Sequence, residues 1–325
     1  MAVGLGFVSI CLSERDCSPA GNVSVATAQR LPDRAARLAL IRRTAVRNLE
    51  NTLRILWFLK GNRLQLYRFA THLIPLATHP YTEGWAWWEE PDLQPLLERV
   101  GEVVRAEGLR VSTHPPQLCV LNSPGGFRWA VAYGEYHCRL LEAMGLDETA
   151  KIVLHPGRGV GDGQASVRSV VEAVERLPER VRVRLALEND DTTFSAAQTL
   201  EICRAVGVPM VFDWHHHVCR NDGEDYRELL PRVFATWTGR PPKVHVSSPR
   251  GAGDGRAHAD YVDPAFVGAF LRYAAELGDV DVMVEAKAKD LAALRLRDEL
   301  PDVFGTGSGD GGRGAAGLRG PGDGR

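Results

Sequence analysis

The chain has 325 residues, with 39 basic against 41 acidic side chains and a formal net charge of −2. Its 44% hydrophobic and 25% charged content is that of an ordinary folded protein, which excludes collagen-like and wholly disordered architectures. The near-neutral balance argues against non-specific coating of nucleic acid, and the length admits two ordinary domains or one large α/β barrel. No apolar run approaches the roughly 20 residues of a membrane-spanning helix. The start, MAVGLGFVSICLSERD, lacks the basic segment of a secretory signal, so a cytoplasmic protein without membrane contact is expected. Six cysteines lie scattered without a CxxC pair and are expected to be reduced thiols.

Short apolar runs, each followed by a stretch with helical spacing, recur along the chain. The predicted strands are Val3–Val8, Leu64–Arg68, Leu109–Thr113, Lys151–His155, Val183–Glu188, Pro209–Asp213, Lys243–Val246 and Asp281–Glu285. The predicted helices are Ala35–Phe58, Asp92–Glu107, Trp129–Met144, Ala165–Arg176, Ala196–Val206, Tyr226–Phe234, Pro264–Leu277 and Asp290–Glu299. Strand and helix alternating eight times is the pattern of a closed (β/α)8 TIM barrel in the α/β class. A doubly wound open sheet loses its usual support, because neither GxGxxG after the first strand nor GxxxxGK[ST] occurs. A single barrel domain is therefore expected over residues 1–303. Leu12–Arg34 reads as a long polar loop on the functional side, and residues 304–325, with ten glycines from Gly305 onward, read as a disordered tail.

Six consecutive predicted strands end in a metal-ligand residue type: His114, His155, Glu188, Asp213 with His216 three residues on, His245 and Glu285. The ends of barrel strands converge on one face, so these side chains would meet in one cup, with loop residues His79 and His258 in reach of its rim. Burying carboxylates and imidazoles together is strongly unfavourable unless cations compensate. An all nitrogen and oxygen set suits zinc, manganese or iron, and nine candidates exceed one coordination sphere. A cluster of two or three ions is implied, which suits phosphodiester hydrolysis. A metal-dependent sugar isomerase or epimerase on the same barrel is the first alternative and a non-catalytic binder of distorted DNA the second.

The strings Tyr67–Pro80 (YRFATHLIPLATHP), Ser112–Asn122 (STHPPQLCVLN), Leu185–Asp190 (LALEND), Val211–His217 (VFDWHHH), Pro242–Ser247 (PKVHVS) and Met283–Lys287 (MVEAK) together resemble the UV damage endonucleases, barrel enzymes related in architecture to endonuclease IV. The resemblance runs from about Gly4 to Lys289. It implies hydrolysis of damaged duplex DNA immediately 5′ of a UV photoproduct, leaving 3′-hydroxyl and 5′-phosphate ends. It further implies two to three divalent ions, Mn2+ foremost with Zn2+ as the alternative, in a monomer that needs no nucleotide cofactor. By similarity the ligands are His79, His114, His155, Glu188, Asp213, His216, His245, His258 and Glu285. His114, His155 and Glu188 would hold a first ion, Glu188, Asp213, His245 and Glu285 a second, and His216 and His258, joined by His79, a third.

The same resemblance makes Glu188 the bridging carboxylate and gives no ligand role to His72, His215 or His217. Catalytic roles fall to Glu188, Glu285 and Lys243; Lys243 shares a strand face with His245, and its alternative reading is a packed stem. Where the family probes DNA with a Gln-Tyr pair and a tyrosine near the end of the first strand, this chain has Gln117, Leu118 and Phe7. A leucine wedge forgoes aromatic stacking, so strongly distorting lesions are expected to be favoured. Trp85, Trp87 and Trp88 read as a local hydrophobic anchor, with stacking on displaced bases as the alternative. Arg158, Arg220, Arg250 and Arg256 stand on loops of the presumed catalytic side, where phosphate contact and a solvated charge are the two readings.

Overall fold

Each predicted apolar run becomes one strand, and every strand pairs in parallel with its sequence neighbour until the last closes onto the first. The computed structural model describes residues 2–251 and 253–305. In it β1 is Val3–Val8, β2 Leu66–Arg68, β3 Arg110–Thr113, β4 Lys151–Leu154, β5 Leu185–Glu188, β6 Met210–Asp213, β7 Lys243–Val246 and β8 Val280–Val284. The result is a closed eight-stranded (β/α)8 barrel. Eight helices cover it: α1 Arg34–Gly61, α2 Gln94–Ala106, α3 Pro124–Ala143, α4 Gly163–Glu175, α5 Ala196–Val206, α6 Tyr226–Phe234, α7 Pro264–Leu277 and α8 Lys289–Glu299.

Helix starts obey local capping chemistry. Asp33, Asp162 and Ser195 each accept a hydrogen bond from a backbone N–H of the first turn, and Ser195 forms a full capping box with Gln198. Helix α3 begins five residues before the predicted Trp129. The string SPGG reads as a turn, but Ser123 caps the helix and Pro124 occupies its first position, where a missing N–H costs nothing.

Strand alternation sorts side chains into two cores. Phe7, Leu154, Leu187, Phe212 and Val244 face outward into the layer beneath the helices. Inside the barrel, Val8, Leu66 and Met283 form one small apolar group, and Val153, Ala186 and Val211 form another. Gly6 leaves no room for a Cβ against the Leu66 carbonyl, so β1 and β2 approach closely only because it is glycine. Below this apolar layer lies a charged one. Arg110 donates to both oxygens of Asp281, with the closest approach at 2.6 Å, and Lys243 is buried beside them. Above it lie the predicted ligands.

Leu12–Arg34, read from the sequence as a long polar loop, is tied to the barrel. It contains a short helix, Val25–Gln29, capped by Ser24. Asp290 accepts from the N–H groups of Leu12 and Ser13 at 2.6 and 3.0 Å, and Asn48 bonds both backbone groups of Gly21 at 2.9 Å. At the other end, Phe304 closes the short helix Pro301–Phe304 and packs on the core, so the ordered chain runs past the expected boundary at 303. The rest of the predicted tail, from residue 306, lies outside the described residues. Among the described residues no helix is long and apolar enough to cross a membrane.

Candidate metal centre

Six of the nine predicted ligands meet at the C-terminal mouth of the barrel in two groups that share one carboxylate. His114, His155 and Glu188 form the first, and Glu188, Asp213, His245 and Glu285 the second, with ligand atoms within 4.8 Å of one another in each. The strand register explains this. Five of the six end their own strand or follow it directly, His245 stands one residue before the end of β7, and the period of two turns all of them inward.

The site is buried and crowded with like and unlike charge. His245 Nδ1 lies 3.1 Å from Glu188 Oε1 and 2.9 Å from Glu285 Oε1, and His114 Nε2 lies 3.4 Å from Glu188 Oε2. Burial alone would raise the Glu188 carboxyl, but His245 and His155 hold it well below the usual carboxylate range. Burial raises Asp213, with Glu188 and Glu285 adding to the rise against His216 and His245. For His245, burial works downward, yet Glu188 and Glu285 lift the ring to about 9. Imidazoles and carboxylates thus act on one another's protonation throughout the cup, and a cation bound here would compete with protons for the same donor atoms.

The donor set fits divalent ions on one decisive observation. Both oxygens of Glu188, Oδ2 of Asp213, both ring nitrogens of His245 and Nδ1 of His155 are buried without a hydrogen-bond partner. Buried polar atoms are ordinarily satisfied, and these two groups hold six of the thirteen orphans among the described residues; the others lie on Arg37, Arg42, Ser112, Thr113, His137 and His217. Neutral imidazoles and carboxylates without a thiolate match zinc, manganese or iron. Partners around the set fix its geometry: Asn189 bonds the backbone of Asp213 at 2.9 and 3.0 Å, and Asp213 Oδ1 accepts from the His216 N–H at 2.8 Å.

The remaining ligand candidates stand differently. His216 joins the edge of the shared carboxylate, its Nδ1 3.4 Å from Glu188 Oε1, and its ring centroid lies 6.0 Å from that of His258. His258 Nδ1 is turned to the Glu285 carbonyl at 2.7 Å. His79 is in neither group; its Nδ1 accepts from the Tyr81 N–H at 3.2 Å and its ring lies 4.4 Å from that of Tyr81. His215 bonds Ser247 and the Gly255 carbonyl, each at 2.8 Å, and His217 packs on Phe212 and Trp214.

Lys243 has the predicted face but sits below the ligands with only 5% of its surface exposed, so it presents no ammonium to a phosphate. Burial pulls it from 10.5 down to about 8; Asp281 opposes the fall, and Arg68, Arg110 and Arg240 deepen it. Between those two values the unfolded chain binds the proton that the folded chain lacks, so this group's contribution to stability rises with pH there. Lys243→Met is accordingly expected to stabilise the metal-free protein by up to about 3 kcal/mol below pH 8, with the gain shrinking toward pH 10.5. Urea unfolding at a series of pH values measures it; a pH-independent difference rejects the account.

Phe7 requires a correction. It is fully buried, its ring 6.2 Å from Phe58 and 5.9 Å from Tyr67, and it faces the helix layer instead of the mouth. It cannot probe DNA. Phe7→Tyr is expected to lose about 1–3 kcal/mol of stability by burying an unpartnered hydroxyl, and to leave lesion preference unchanged. Denaturation and nicking assays on the variant check both halves. Gln117 and Leu118, in contrast, stand on the loop between β3 and α3, and Leu118 is 44% exposed. Trp85 and Trp87 are buried and Arg139 covers the Trp88 ring at 4.6 Å, which makes this segment the local anchor. Three of the four loop arginines are paired with acids: Arg220 with Asp222, Arg250 with Asp254 and Arg256 with Asp191.

Two participants escaped sequence reasoning. Arg68, at the end of β2, forms an ion pair with Glu285 across the barrel and, against the effect of burial, holds that carboxyl well below its ordinary range. The available signal was that β2 is the strand whose end carries a cation where its successors carry ligands. His137 of α3 is fully buried with both ring nitrogens unpartnered, and burial drives it down to about 3; its signal was the helical spacing that sets it on one face with Ala130, Tyr133, Leu140 and Leu141.

A family model described as UV-endonuclease UvdE matches residues 3–307. The UV DNA damage endonuclease of Bacillus pumilus (strain SAFR-032) is 39% identical over 311 residues, covering 94% of this chain and 96% of that protein. The UV DNA damage endonuclease of Bacillus thuringiensis subsp. konkukian (strain 97-27) is 36% identical over 310 residues with the same coverage. The crystal structure of SacUVDE superposes with a TM-score of 0.79 at 29% identity, over 93% of this chain and 98% of that one. With the match spanning nearly the whole barrel and its ligand-bearing strand ends, the chain belongs to the UV-endonuclease UvdE family.

Proposed function

We propose that this protein hydrolyses the phosphodiester immediately 5′ of UV photoproducts and other distorting lesions in duplex DNA, leaving 3′-hydroxyl and 5′-phosphate ends, with two to three divalent ions at the barrel mouth. Family membership makes it an endonuclease of DNA repair with damaged DNA as substrate. The observation that carries the finer reading is the pair of ligand groups sharing Glu188, whose buried oxygens have no protein partner. Bound there, divalent ions lower the pKa of a water and neutralise charge on the attacking and leaving oxygens of a phosphodiester. Manganese, with zinc as the alternative, suits the oxygen and nitrogen donors. In this reading His114, His155, Asp213, His245 and Glu285 hold the ions, with His216 and His258 at the outer edge beside a cavity of about 410 Å³.

That cavity is also lined by Gln117, placing a candidate wedge next to the chemistry. The enzyme works as a cytoplasmic monomer without a nucleotide cofactor. The test is nicking of duplexes carrying one 6-4 photoproduct, one abasic site or one cyclobutane dimer, with and without EDTA. Cleavage 5′ of the lesion that EDTA abolishes is expected, faster on the strongly distorting lesions because they are already partly unstacked. Leu118→Tyr should speed the cyclobutane dimer selectively, by a factor consistent with about 1 kcal/mol. EDTA-resistant cleavage, or reproducible binding of one ion or fewer by active protein, overturns the multinuclear reading.

A further inference from the structure

At the end of the barrel away from the candidate metal centre, a cavity of about 970 Å³ opens between the start of β1, the end of α1 and the short helix Pro301–Phe304. Three arginines line it, Arg63, Arg110 and Arg297. A few backbone atoms tie them together. Arg297 Nη1 donates to the Asn62 carbonyl at 2.6 Å, Gln65 Nε2 to the Arg63 carbonyl at 2.5 Å, and the Arg110 N–H to the Gln65 carbonyl at 2.9 Å. Gly4 leaves the space that Arg110 Nη2 fills. Segments distant in sequence thus bring three guanidinium groups to one opening.

Charge at this end of a barrel ordinarily serves folding, and Arg110 does so in part through Nε and Nη2 on Asp281. Arg63 does not fit that role. It is exposed, and among the described residues no carboxylate stands within ion-pair distance of it. Its φ is 56°, the left-handed conformation that glycine adopts freely just past a helix end and other residues adopt at a cost. A cation near the end of α1 gains from the helix dipole, but Lys60 already supplies one in the last turn. An unfavourable backbone that sets an unpaired guanidinium at the edge of a cavity points to something outside the chain for that group to meet.

The other walls are apolar, with Val3 and Leu5 of β1 on one side and Pro301, Val303 and Phe304 on the other. Against the three guanidinium groups the lining offers one carboxylate, Asp298, 3.6 Å from Arg297 Nε. We propose that this cavity binds an organic phosphate of nucleotide size, with its phosphates on Arg63, Arg297 and the Nη1 edge of Arg110 and its body against Val303 and Phe304. A planar guanidinium meets two phosphate oxygens at once, which makes arginine the apt partner for this group. Small-molecule sites span about 300–1,000 Å³ and are mostly apolar with a few placed polar groups, as here. A doubly charged anion offsets the surplus positive charge, and inorganic phosphate alone would leave the apolar wall uncovered. The site is separate from the metal centre, so it takes no part in the hydrolysis and does not depend on the endonuclease reading.

Isothermal titration calorimetry on the full-length, metal-loaded protein tests this, with ADP and inorganic pyrophosphate as probes. ADP is expected to bind saturably, one per chain, and more tightly than pyrophosphate, which has the charge without the body. Arg63→Gly and Arg297→Gln should each weaken ADP by about 10- to 100-fold, the loss of one hydrogen bond to a charged group. Arg63→Gly should at the same time raise Tm, because glycine relieves the left-handed backbone; an arginine kept for folding alone would give a fall. An azido derivative of ADP should photolabel peptides that contain residues 61–65 or 301–305. Absence of saturable ADP binding at millimolar concentration overturns the proposal. So do unchanged affinity in both variants, a lower Tm in Arg63→Gly, and label confined to the loops around the metal centre, as for a phosphate held by the ions there. Pyrophosphate binding as tightly as ADP overturns the assignment of an organic body to the apolar wall.

Discussion

A Glu188→Gln variant is expected to fold as a barrel and to lose nicking altogether. Glu188 belongs to both ligand groups, and its two oxygens face different sets of partners: Oε2 is nearest His114, and Oε1 is nearest His245 and His216. An amide has the same shape but carries no charge, and offers one acceptor where two cations need an anionic bridge. Removing even an outer partner of a metal ligand typically costs about 10- to 100-fold in affinity or activity. Loss of the shared ligand should exceed that, and elemental analysis should show fewer bound ions per chain than in the parent. Circular dichroism that matches the parent, with nicking beyond detection, is the expected pair of results. Near-parental cleavage under the same metal conditions removes Glu188 from the centre of the mechanism.

The largest expected effect on stability lies at the opposite end of the barrel. Asp281 is 2% exposed and is the acid that faces both Arg110 and Lys243. Burial raises its carboxyl, and Arg110, through its hydrogen bonds, is the main force against that rise. Asp281→Asn leaves the buried Lys243 and the half-buried Arg110 without their anion, at a cost of about 3–5 kcal/mol, read as a lower urea midpoint. Adding Lys243→Met to that variant should recover part of the loss, because one of the stranded cations is then gone; the two substitutions are coupled and their effects should not add. An Asp281→Asn protein as stable as its parent would show that the lower charges are solvated and of no consequence.

The barrel was legible because eight apolar runs alternate with eight helical stretches, and the centre because a period of two sends every strand-end residue to one side. Residues 114, 155, 188, 213, 245 and 285 needed only that parity. The same parity, applied to β1, turns Gly4, Gly6 and Val8 inward and Phe7 outward, so the mistaken role for Phe7 came from the resemblance and not from the strand pattern. Arg68 and Glu285 are 217 residues apart, and nothing local in either segment signals their pairing. His79 entered as a loop residue within reach of the rim and as a ligand by resemblance; no periodicity governs orientation in a loop, and its Nδ1 accepts from the Tyr81 N–H. The bonds from Asp290 and Asn48 that pin Leu12–Arg34 are likewise distant in sequence.

The small apolar layer of Val8, Leu66, Met283, Val153, Ala186 and Val211 is a spacer between two charge systems stacked on the same strands, across which Arg68 at the mouth still bears on Lys243 below. From Lys243 to His245, or from Asp281 to Glu285, the chain advances only two or four residues, roughly 7 to 13 Å along a strand. Over that distance the barrel passes from an ion pair that concerns folding to a cup that concerns chemistry. The bulk of these side chains holds the lower cations at that distance from the carboxylates at the mouth. The lower trio could be exchanged as a set for hydrophobic residues of similar volume, a replacement that is often neutral or stabilising, without altering the charge that the mouth presents to DNA.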